Sequence, residues 1–144
     1  LNYRYTADEI KYCLEHPEEA VMDPDGNYTS SVLPFSRYYD DYFIPQISEL
    51  VEKYQIDGVW IDGDCWSVNP DYRQETLQKF EKETGIELNG KAPKTREDPF
   101  FAEYIEFARE QYRKTLRYYT DVLHKKYPHL YGWGYFLRKI IVKK

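Results

Sequence analysis

Asp62 and Asp64 stand two residues apart at the end of an apolar run, Ile56-Asp57-Gly58-Val59-Trp60-Ile61, and Trp66 follows them. If the run is a strand, alternation sends Val59 and Ile61 to one face and Trp60, Asp62 and Asp64 to the other. At about 3.3 Å of rise per residue, the two acids would have Cα atoms roughly 6–7 Å apart. α/β sheets place their chemistry at the carboxyl edge of the strands, where these acids would stand. The same residues also suit a strand running into an Asp/Gly turn, since both types favour turns. Spacing alone does not separate the two readings.

The rest of the chain bounds what such a site can belong to. Its 144 residues suffice for one domain with a real core but fall short of the roughly 200 or more of a complete (β/α)8 barrel. It begins with Leu1 rather than methionine, which reads as a piece of something longer. The formal charge is −5, and the 20 basic residues are dispersed rather than gathered into a stripe, so no nucleic-acid partner is expected. No apolar run reaches the roughly 18–20 residues of a membrane span, and no membrane partner is expected. Cys13 and Cys65 form no metal spacing and read as two free thiols in preference to one disulfide; His16, His124 and His129 have no spacing that makes a site. No metal or cofactor is therefore called for. Sixteen tyrosines, seven phenylalanines and three tryptophans are the unusual feature, suited to stacking on sugar rings and equally to a core or an interface.

The elements that would position the acids are legible in outline. Thr6-Ala7-Asp8-Glu9 reads as a capping box opening a helix that stops near His16, before Pro17. Asp23-Pro24-Asp25-Gly26-Asn27 is turn chemistry, and Asn27-Tyr28-Thr29 fits a glycosylation acceptor for a secreted eukaryotic protein. Ser36 reads as the N-cap of a helix reaching Tyr54, with Pro45 expected to kink it or mark its true start. That helix feeds the Ile56 strand through a short connection. Asn69-Pro70 is expected to cap a further helix that Gly85 closes, followed by a polar connector over 86–97. The charged residues between 71 and 97 read as a solvated face. Asp98-Pro99 opens the longest helix, to about Tyr127, whose stripe of Phe101, Tyr104, Ile105, Ala108, Tyr112, Leu116, Tyr119 and Leu123 reads as core packing. A strand is expected over 130–135. Two parallel strands joined by a helical crossover would make one βαβ unit.

One family resemblance bears on these residues. Ile44-Pro45-Gln46-Ile47-Ser48-Glu49-Leu50-Val51-Glu52-Lys53-Tyr54, followed by Asp57-Gly58-Val59-Trp60-Ile61-Asp62-Gly63, resembles retaining glycoside hydrolases of the alpha-L-fucosidase type. The run from Gly58 to Trp66, then Leu77-Gln78-Lys79-Phe80, Glu83-Thr84-Gly85 and Leu123 to Pro128, is also similar to a less characterised set of bacterial glycosidases. The likeness spans about residues 16–130. It implies a partial (β/α)8 TIM barrel, about strands 3–5 with their helices, with residues 1–144 a single fragment of a catalytic barrel. In that register the Val59 strand is the fourth of the barrel and the one near Leu130 the fifth. The resemblance also implies that Asp62 is the catalytic nucleophile. The family's general acid/base lies further along the chain, and no residue here takes that role.

The expected chemistry is thus hydrolysis of an O-glycosidic bond in a carbohydrate substrate, with Asp62 attacking the anomeric carbon. Asp64 would bind a sugar hydroxyl or shift its neighbour's pKa. Trp66 is a stacking platform and Trp60 a weaker one, more at home inside a barrel. Retaining enzymes hold their two carboxyls about 5–5.5 Å apart and inverting ones about 6.5–9.5 Å, usually on different strands, so Asp62 and Asp64 are not taken as the pair. Asp62-Gly63-Asp64 also matches the Asp-x-Asp of metal-dependent glycosyltransferases, although no basic cluster stands nearby for phosphates. It matches phosphatases of the haloacid-dehalogenase type less well, because Trp66 replaces a small hydroxyl residue. The third alternative is a catalytically silent fragment, sugar-binding or homo-oligomeric, or completed by the missing remainder of the barrel.

Overall fold

The computed structural model describes residues 4–60 and 68–133, with side chains over 9–59 and 68–131. Helix α1 (Arg4–Glu15) begins ahead of Thr6, so Thr6 lies inside the helix rather than at its N-cap. Pro17 ends it: the His16 N–H still reaches the Tyr12 carbonyl at 2.8 Å, and one 3-10 turn (Pro17–Glu19) leads away. Strands β1 (Ala20–Met22) and β2 (Tyr28–Val32) then pair antiparallel across Asp23 to Asn27. The Asp23 carboxylate accepts the N–H groups of Asp25 at 2.9 Å and Asn27 at 2.8 Å, and Gly26 takes a φ of +87°. The turn was readable from its residues; the two strands flanking it were not anticipated.

Ser36 Oγ accepts the Tyr38 N–H at 3.1 Å and starts a helical stretch that continues to Tyr54. Its first part is a π turn (Tyr39–Phe43), and α2 (Ile44–Tyr54) follows without a break. Pro45 is the cause. It has no N–H to offer the carbonyl four residues back, and the chain widens by one residue, the Ile44 N–H bonding to the Tyr39 carbonyl. Gln55, left-handed at φ +52°, closes α2 with its N–H on the Val51 carbonyl at 3.0 Å. Strand β3 (Gly58–Trp60) begins three residues later.

Helix α3 (Gln74–Thr84) ends at Gly85, whose φ of +73° lets its N–H cap the Glu81 carbonyl at 2.9 Å. It does not start at Asn69-Pro70, because the intervening backbone is tied to β1. The Met22 N–H donates to Asp71 Oδ1 at 2.8 Å, and the Tyr72 N–H donates to the Met22 carbonyl at 3.0 Å. Helix α4 (Phe101–Lys126) spans 26 residues, roughly 40 Å. Asp98 does not cap it; its carboxylate takes the N–H groups of Lys94 at 2.9 Å and Thr95 at 2.7 Å, and so closes the preceding turn. After Pro128, β4 (Tyr131–Trp133) lies beside β3 with Gly58 opposite Tyr131 and Trp60 opposite Trp133.

Two apolar clusters sit at different heights along α4. The first joins α1, the π turn, α2 and the end of α4, through Tyr12, Phe43, Ile47, Val51, Tyr119 and Leu123. The second joins α3 to the start of α4, through Phe80, Leu88, Tyr104 and Phe107. Buried Gln111 and Thr115 lie between the two sets on α4. Of the expected stripe, Tyr104, Ala108, Tyr119 and Leu123 are buried and Phe101, Ile105, Tyr112 and Leu116 only half-buried, while Phe107, Gln111 and Thr115 are buried beside them.

The expectation of a partial (β/α)8 barrel, strands 3–5 with their helices, is corrected here. Among the described residues helix predominates, strands are three to five residues long, and they form two separate two-stranded sheets, one of them antiparallel. Strands this short bury little. Helix-on-helix packing supplies the two cores, and no barrel wall is present among the described residues.

Candidate functional site

Of the four residues singled out for chemistry, Asp62, Asp64 and Trp66 lie outside the described residues, as does Cys65. Trp60 closes β3, and only its backbone is described. What the fold shows is the support delivered to that point. Ile56 and Val59 pack against the first core, to which Val51 and Leu130 belong. The Tyr131 N–H donates to the Asp57 carbonyl at 2.8 Å, which fixes the start of β3 against β4. A helix, a left-handed cap and a strand anchored on both sides thus precede Ile61.

Val68 and Asn69 line a recess of about 130 Å³. Phe35, Tyr104 and Phe107 give it aromatic walls, and Asp71, Thr76, Lys79 and Gln111 a polar side. These polar groups are largely committed to one another. Lys79 Nζ donates to Gln111 Oε1 at 2.8 Å, and Gln111 Nε2 donates to Glu83 at 3.2 Å. Asp71, whose side chain is 4% exposed, pairs with Arg73 Nε at 3.2 Å and accepts the Thr76 hydroxyl as well as the Met22 N–H. The buried Tyr104 hydroxyl donates to the Asp71 carbonyl; burial, with the Asp71 charge adding to it, raises its pKa and keeps it a donor. Such a set holds geometry rather than moving protons.

Sequence reasoning missed Asp71 and Arg73, which were read as part of a solvated face. The available signal was weak: an acid after a proline and shortly before a helix, a position where carboxylates find backbone donors. His16 lies 4.6 Å from Tyr12, ring to ring, and 3.4 Å from Glu18, and His129 packs edge-on to Tyr127. Cys13 is buried and unpaired, and burial, with Glu9 beside it, pushes its thiol up to about 11. No group of three metal-ligating side chains occurs among the described residues, and no helix among them is long and apolar enough to cross a membrane.

No protein-family model matches the chain, and no curated protein or solved structure matches it. The glycosidase resemblance therefore rests on the quoted residues alone.

Proposed function

We propose that the chain takes part in glycoside hydrolysis, with Asp62 as the nucleophile that attacks the anomeric carbon. One observation carries the reading. The unit α2, Gln55 cap and β3 holds the backbone at Trp60 by core packing on one side and by β4 on the other, directly ahead of Ile61-Asp62-Gly63-Asp64. A carboxylate that must meet a substrate carbon within a fraction of an ångström needs that kind of rigid delivery. Asp64 serves as a ligand for a sugar hydroxyl. Trp66 and Trp60 supply the faces on which a pyranose stacks. Retention takes two carboxyls, so turnover by this chain alone requires an acid/base partner for Asp62.

An activated aryl glycoside panel, including fucosides and galactosides, tests this on the chain as it stands. The expected result is turnover without added metal that falls by a thousandfold or more in Asp62→Asn, with the variant still folded by circular dichroism. Turnover that needs manganese or magnesium would transfer the acids to the glycosyltransferase reading. Absence of turnover in a self-associating chain would favour the silent fragment.

A further inference from the structure

A second site lies away from β3. Between the last turn of α1 and the π turn is an open cleft of about 360 Å³, with Tyr12, His16 and Tyr42 as its walls. Tyr42 is 43% exposed, and its ring stacks on Tyr38 at 5.9 Å while Tyr12 meets it edge-on at 5.4 Å. That ring is held in place by its neighbours and open on the cleft side. Around it stand three carboxylates, Glu18, Glu19 and Asp41, against one guanidinium, Arg37. Arg37 is already engaged with Asp41 at 3.4 Å, and its backbone N–H is bound by Glu19 at 3.2 Å. Glu18 has His16 Nδ1 at 3.4 Å, and the three carboxylates outnumber the one guanidinium.

The field of those acids registers on the ring beneath them. Burial chiefly raises the pKa of the Tyr12 hydroxyl; a hydrogen bond with Ser36 and the Arg37 charge oppose that, and the charges of Glu19 and Asp41 add to it. A field that opposes a phenolate favours a cation. A neutral sugar could use the ring and donate hydroxyls to the acids but would leave their charge unneutralised; an anion would be repelled.

We propose that this cleft binds a small organic cation, an ammonium group carried on an apolar body. The ammonium sits among Glu18, Glu19 and Asp41, and the body lies on the Tyr42 ring, where a cation–π contact adds to the charge attraction. The proposal is independent of the reading of Asp62. Neither α1 nor the π turn carries a residue assigned to that chemistry.

Calorimetric titration of the full chain tests it with three probes: choline, cadaverine and the neutral choline isostere 3,3-dimethylbutan-1-ol. Choline or cadaverine is expected to bind and the alcohol not to; which of the two is tighter separates a methylated from a primary ammonium. Tyr42→Ala should weaken the cation about fivefold. Glu18→Gln changes a carboxylate that is 68% exposed, so it leaves the fold intact and should also weaken binding. The proposal is overturned if neither cation binds at millimolar concentration, if the alcohol binds as well as choline, or if both variants retain full affinity.

Discussion

The two cores along α4 are built on different terms, and the hairpin β1–β2 is pinned to each by one carboxylate. On the side of the first core, Glu9 of α1 accepts the Val32 N–H of β2 at 3.0 Å. On the side of the second, Asp71 accepts the Met22 N–H of β1 at 2.8 Å. Asp71 is surrounded by donors and a guanidinium. Among the described residues Glu9 accepts one backbone N–H, and burial raises its pKa more than that bond lowers it. One acid is a built joint; the other is a desolvated charge with a single partner among the described residues. The difference shows that burial alone does not make a carboxylate stabilising.

The second core is the smaller, so single truncations should hurt it most. Phe80 is fully buried, and it meets Tyr104 at 5.1 Å and Phe107 at 5.4 Å, both edge-on. Phe80→Ala is expected to cost about 3–5 kcal/mol, a large part of the 5–15 kcal/mol a domain usually has. Urea unfolding followed by tyrosine fluorescence and far-ultraviolet circular dichroism would measure it. A loss below about 1 kcal/mol would mean that α3 does not depend on this cluster, and the division into two cores would fail.

Asp71 comes next. Asp71→Ala strands the Met22 N–H, the Thr76 hydroxyl and the Arg73 guanidinium together, and should cost about 3 kcal/mol. Asp71→Asn keeps an acceptor for Met22 and should cost clearly less. Equal losses in the two variants would show that charge, not hydrogen bonding, holds the joint.

That joint also marks the limit of what the residues disclosed in advance. Gly85, the turn at Asp23 to Asn27 and the stop at Pro17 depend on backbone chemistry local to a few positions, and each is where its residues place it. The start of α3 is a tertiary matter. Asn69-Pro70 has the local credentials of a cap, and the pull of β1 on Asp71 and Tyr72 overrides them. Gln111 and Thr115 likewise look like the polar face of an amphipathic helix. They are buried because Lys79 and Glu83 satisfy the one, and the Phe35 N–H, at 3.1 Å, takes the other. The barrel was inferred by carrying a helix-and-strand resemblance over to a whole architecture. Of the candidate site, only the support for β3 lies within the described residues.

The smallest effect belongs to Glu9, and its sign is the informative part. Its carboxyl has a higher pKa in the fold than its ordinary value of 4.5, burial being the larger cause. A raised carboxyl pKa means that the folded chain binds the proton more tightly than the unfolded one. The stability tied to that proton is therefore present below about pH 4.5 and is lost as pH rises through the higher folded pKa. Glu9→Gln keeps an oxygen for the Val32 N–H and removes the charge. Below pH 4.5 the variant should match the parent, and by pH 7 it should melt on the order of a degree higher. Melting curves collected from pH 4 to 7 on both proteins isolate this group, because every other titration cancels in the difference. A difference that stays flat across that range would place Glu9 with Asp71, as a second well-matched joint, and would remove the contrast between the two carboxylates.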